Sequence, residues 1–138
     1  MSDFDDKFIK CCRDGNLKKA KILYNNHNID IHADDDYVFR WSCINGHLEV
    51  TKWLINTFPN IDIHAYDEFA FKYSCINGHL DVAKWLINTF PNINIHIDNE
   101  YVFRYSCKNN HLDIVTWLTS LNPKYSYRIE NEKIIPYG

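Results

Sequence analysis

The sequence predicts an all-α solenoid of about four helix-turn-helix units, each opening with a short extended segment, and three observations carry that prediction. A 32-residue unit recurs at 29–60, 61–92 and 93–124: IDIHADDDYVFRWSCINGHLEVTKWLINTFPN, IDIHAYDEFAFKYSCINGHLDVAKWLINTFPN and INIHIDNEYVFRYSCKNNHLDIVTWLTSLNPK. Each unit holds two apolar stretches at helical spacing. Glycine and proline punctuate the first two copies at matching positions, Gly46 with Gly78 and Pro59 with Pro91. A fixed period of this length signals a stacked array, because one such unit cannot bury its own apolar face.

The elements follow in order. Ile29 to His32 alternates apolar and polar residues, as do the stretches from Ile61 and Ile93, so each unit starts as a half-exposed extended piece. Asp35, Asp67 and Asn99 precede the next apolar stretch and suit a helix N-cap, whose side-chain oxygen accepts from free backbone N–H groups. Gly46 and Gly78 end that first helix, since glycine takes the left-handed conformation without steric cost, and Asn110 stands in the third copy. Leu48 opens a second helix with Val50, Trp53 and Leu54 on one side and Glu49, Lys52 and Asn56 on the other. Proline then prevents its continuation.

These residues carry a resemblance. The stretch GHLEVTKWLI at Gly46 to Ile55, repeated with small changes at Gly78 to Ile87, resembles the junction between the two helices of an ankyrin repeat. Asp14-Gly15-Asn16-Leu17 belongs to a degenerate first copy in which Phe8 and Cys12 fall where Phe39 and Cys43 do. The Thr-Pro-Leu-His of ankyrin inner helices is replaced by Tyr37-Val38-Phe39-Arg40, and the usual hairpin tip is absent, so the fingers are expected to be stubby. The resemblance implies one domain over 1–138: a capping repeat at 1–28, repeats at 29–60, 61–92 and 93–124, and a C-terminal cap at 125–138. The alternative for that last segment is that Ile134-Ile135-Pro136-Tyr137 serves as a docking peptide. Such divergent, Asn- and Ile-rich repeats resemble those that giant DNA viruses encode in large families. The function implied is a non-catalytic protein-interaction module working inside a host cell, in its cytoplasm, with an unidentified host protein as partner. The alternative is a structural or self-assembling, virion-associated protein.

Composition narrows the field. A formal charge of −3 gives no basic surface for nucleic acid. The acidic N-terminal residues are unlike a secretory leader, and no stretch reaches the roughly 18 apolar residues of a membrane span, so an intracellular monomer is expected. Cys43, Cys75 and Cys107 recur where the ankyrin pattern has a buried alanine, and with Cys11 and Cys12 the odd count argues for reduced thiols. The pairs Cys43/His47, Cys75/His79 and Cys107/His111 supply two ligands each where a structural zinc needs four, so no metal or other cofactor is expected and the histidines are assigned to the helix-helix turn. His32, His64 and His96 resemble a family position that oxygenases hydroxylate. No catalytic motif stands out.

The binding face is sought where the copies differ. The two closest copies disagree at eight positions, six of them between Asp34 and Trp41. In ankyrin proteins those elements line a concave groove, so the candidate partner-binding residues are Tyr37, Arg40, Trp41 and Ile44, then Phe69, Lys72, Tyr73 and Ile76, then Tyr101, Arg104, Tyr105 and Lys108. Trp41, Tyr73 and Tyr105 either line the groove as interface anchors or stack between repeats as core; both alternatives stay open. Arg40, Lys72 and Arg104 each follow an acid by four residues, at Asp36, Glu68 and Glu100, which predicts local helical ion pairs.

Overall fold

The computed structural model describes residues 2–137; Met1 and Gly138, the outermost residues of the two expected caps, lie outside them. The fold is all-α with one terminal hairpin. Among the described residues the helices are α1 Asp3–Arg13, α2 Leu17–Asn26, α3 Ala33–Ile44, α4 Leu48–Thr57, α5 Ala65–Ile76, α6 Leu80–Thr89, α7 Ile97–Lys108 and α8 Leu112–Leu121, followed by β1 Tyr127–Glu130 and β2 Lys133–Pro136. The chain divides into two compact units, Met1–Ala70 and Phe71–Gly138.

In the first unit α1 starts on a reciprocal cap. Ser2 Oγ accepts the Asp5 N–H at 3.1 Å while Asp5 Oδ2 accepts the Ser2 N–H at 3.0 Å. The Ser2 side chain first, then its backbone and the Asp30 N–H, hold the Asp5 carboxyl below its usual range. The core behind it is Phe8, Cys12, Phe39, Cys43, Val50 and Leu54, all buried as the repeat pattern requires. Trp53 bridges the two helix pairs, its ring 6.1 Å from Phe8 and 6.0 Å from Tyr24. Ile29 and Ile31 are buried between exposed Asp30 and His32, so the expected alternation holds although no strand forms there.

The start of α3 departs from the expected N-cap. Asp34, Asp35 and Asp36 all lie in the left-handed region, with φ of 52, 54 and 64°. The right-handed helix begins only after them. Asp and Asn tolerate this conformation better than other non-glycine residues, so the Asx residues read as caps form a left-handed turn instead. The same turn recurs at Tyr66-Asp67-Glu68 and Asp98-Asn99-Glu100. It overturns the expected ion pairs, because an acid with left-handed backbone does not share a helical face with the cation four residues on. Arg40 instead donates to the carbonyls of Asp34, at 3.0 Å, and Asp35, closing the turn from outside. Asp36 is freed to turn inward, where Oδ1 lies 2.5 Å from His32 Nδ1 and Oδ2 accepts the Asp62 N–H at 2.9 Å.

The second unit buries Phe71, Val82, Leu86, Val102, Ile114 and Leu118. Arg104 repeats the role of Arg40, donating to the carbonyls of Asn99 at 3.0 Å and Asp98 at 3.5 Å. Its end is closed by two residues that break the repeat. Tyr125 occupies the slot of Ile29, Ile61 and Ile93; its ring stacks on Phe103 at 4.3 Å and its hydroxyl donates to Glu100. Burial first, then the bond to Glu100 and its charge, push the Tyr125 hydroxyl pKa up. Asn110 takes the left-handed place of the helix-ending glycine, at φ 61°, and adds what glycine lacks. Its Oδ1 accepts the Ile134 N–H at 3.1 Å and its Nδ2 donates to the Glu132 carbonyl at 3.1 Å. The hairpin so pinned pairs β1 with β2 antiparallel across Asn131 and Glu132, whose φ of 52 and 61° give the two-residue turn that matches strand twist. Ile134 to Pro136 thus lies within strand β2, with Ile134 buried.

Candidate functional site

The twelve candidate residues sit on α3, α5 and α7. In the first unit Tyr37 and Trp41 are half-buried, one turn apart, with ring centroids 5.4 Å apart. Phe69 is half-buried as well. Arg40 is only 6% exposed: its guanidinium lies 4.4 Å from the Tyr66 ring, and Tyr66 donates its hydroxyl to Asp35 Oδ2 at 3.0 Å. That bond raises the Tyr66 pKa. Arg40 therefore ties one left-handed turn to the next, which leaves it little to offer a partner. Ile44 is buried.

In the second unit three tyrosines run together. Tyr101 is hydrogen-bonded to Tyr73, which raises the Tyr101 pKa, and stacks on Tyr105 with centroids 4.2 Å apart. All three are half-buried. Cations flank them: exposed Lys108 Nζ lies 5.2 Å from the Tyr105 ring, and the exposed Arg104 guanidinium 5.7 Å from it. Lys72 is buried, bonded to Asp98 at 3.2 Å and 5.4 Å from the Tyr101 ring. Ile76 is buried. Of the twelve candidates, Tyr37, Trp41, Phe69, Tyr73, Tyr101, Arg104, Tyr105 and Lys108 reach the surface, while Arg40, Ile44, Lys72 and Ile76 are spent on the fold.

The histidines and cysteines are structural in their placement. His47 and His111 stand at helix N-caps without a side-chain cap bond; their rings cover Gly15 and Gly78. A Cβ added at Gly15 would lie 2.5 Å from His47 Nδ1, and one at Gly78 2.7 Å from His111 Nδ1. Those glycines are needed twice over, for φ of 81 and 82° and for this contact. All five cysteines are buried, and none forms a disulfide among the described residues. Burial pushes Cys12 and Cys43 up to about 12 and Cys107 up to about 11, so these thiols stay protonated and unreactive at neutral pH. Among the described residues no three His, Cys, Asp or Glu side chains gather as a metal site would require, and no helix is long and apolar enough to cross a membrane.

The two units share a repeated helix pair with a left-handed entry turn and half-buried aromatic rings on its first helix, and a helix pair recurring at a fixed period defines a helical repeat protein. The model of the family described as ankyrin repeats (3 copies) matches residues 8–99, well over half of the chain. The chain belongs to the ankyrin-repeat family. No curated protein matches the sequence. Ankyrin repeats are in general protein-interaction modules and typically not enzymes.

Proposed function

We propose that the chain is a non-catalytic binding module that grips a partner protein through the first helices of its repeats. The observation that carries this is the half-buried tyrosine run Tyr73, Tyr101 and Tyr105, with Lys108 and Arg104 beside it. Large rings with one wet edge supply contact area at low entropic cost and dominate interface hot spots, and cations beside them favour acidic groups on the partner. Tyr37, Trp41 and Phe69 offer the same chemistry in the first unit. The buried candidates Arg40, Ile44, Lys72 and Ile76 act by holding these rings in place. The resemblance to repeats of giant DNA viruses directs the search for the partner to a host-cell lysate.

A photo-crosslinking residue placed at Tyr105 should trap one protein, whereas the same residue at exposed Lys84 on α6 should not. Equal trapping at both positions, or trapping at Lys84 alone, would contradict the assignment.

A further inference from the structure

We propose that the free edge of β1 pairs antiparallel with β1 of a second copy of this chain, centred on Ile129. The hydrogen bonds of the hairpin fix which backbone groups are free. Tyr137 donates its N–H to the Ser126 carbonyl at 2.9 Å, in register with the pairs Arg128–Ile135 and Glu130–Lys133. In an antiparallel pair bonded and non-bonded residues alternate, so Ser126, Arg128 and Glu130 bond β2 while the N–H and C=O of Tyr127 and Ile129 point away from it. The same alternation turns the Ile134 N–H outward on β2, where Asn110 accepts it. Nothing among the described residues accepts or donates to the outward groups of Ile129, whose side chain is 59% exposed.

An edge of this kind is a template for another strand, and charged side chains commonly guard it. Here the charges favour one register. Pairing centred on Ile129 sets Arg128 of each copy opposite Glu130 of the other, twice by symmetry. Centring on Arg128 or on Glu130 would set like charges opposite one another, and a shift by one residue would turn the bonding groups of one strand away from the other. Within one copy Arg128 Nε already lies 3.0 Å from Glu130 Oε2, so both charges sit on one face, ready to form a four-membered cluster. The sequence of β1 is therefore complementary to itself, and a second copy is the occupant it fits.

Sedimentation equilibrium tests this on the whole chain. The wild type should show a monomer–dimer equilibrium at concentrations up to about 1 mM, and Glu130→Arg and Arg128→Glu should each weaken dimerisation about ten-fold or more by setting like charges opposite. An equimolar mixture of the two should recover it as a heterodimer. Ile129→Pro, which removes only an outward N–H, should abolish dimers while the Ile134 amide stays protected from exchange. A wild type that remains monomeric throughout overturns the proposal, as do charge variants that dimerise like the wild type or a mixture that does not recover.

Discussion

Asp36 Oδ2 accepts the backbone N–H of Asp62, 26 residues further along, at 2.9 Å. Asp5 accepts the Asp30 N–H at 3.0 Å in the same way, so a buried acid at the start of one helix pair holds the entry of the next. Removing the Asp36 carboxylate leaves that N–H and His32 without their partner. Asp36→Ala should cost about 1–3 kcal/mol in urea unfolding, with Asp36→Asn recovering part of the loss.

Asp34 holds the same left-handed turn with φ 52° but is exposed. An L residue in this region carries steric strain that glycine does not. Asp34→Gly is expected to raise stability by up to about 1 kcal/mol, against the ordinary loss when glycine replaces a residue near a helix start. A lower unfolding midpoint would show that the turn is not left-handed in solution.

Asn110 performs two tasks, and Asn110→Gly separates them. Glycine keeps the left-handed helix end but loses both bonds to the hairpin. Hydrogen exchange at the Ile134 amide should speed up about ten-fold or more, while amides in α7 change little.

The buried thiols set a limit at high pH. A thiol with a folded pKa above its unfolded value, ordinarily 9.0, contributes stability that is present below that value and is lost as pH rises toward about 12 for Cys12 and Cys43. The sign follows because the unfolded state gives up its proton first. Urea midpoints should fall from about pH 8 to about pH 10.5, and Cys43→Ala, which keeps a small apolar side chain, should flatten part of that slope. Thiol reagents should label none of the five cysteines at neutral pH until the chain unfolds.

The period made the helix pairs legible: α4 and α6 start at Leu48 and Leu80, where the pattern places them, and Phe39 and Cys43 lie in the core. What stayed hidden was backbone handedness. Asp35 and Asn99 belong to residue types that favour both N-caps and the left-handed region, and nothing local separates the two. The ion pairs expected for Arg40 and Arg104 failed with that assumption, since a left-handed Asp36 or Glu100 faces elsewhere. The hairpin stayed hidden within the expected cap at 125–138; its second strand depends on Asn110, 24 residues before Ile134. The departure from glycine at that position was the available signal. For the candidate site, the 32-residue period placed Trp41, Tyr73 and Tyr105 at equivalent positions of successive repeats, but their half-burial depends on packing that spacing alone does not supply.

In the proposed function, the aromatic rings on the first helices bind a partner. The most direct test is affinity capture with quantitative mass spectrometry, comparing the wild type with a Trp41→Ala, Tyr73→Ala, Tyr105→Ala variant whose helicity and melting are measured first. The rings should act as contacts: the variant keeps its helicity and loses one specific protein that the wild type retains. A variant that folds and still captures the same protein would contradict the claim, and one that unfolds would show the rings to be core.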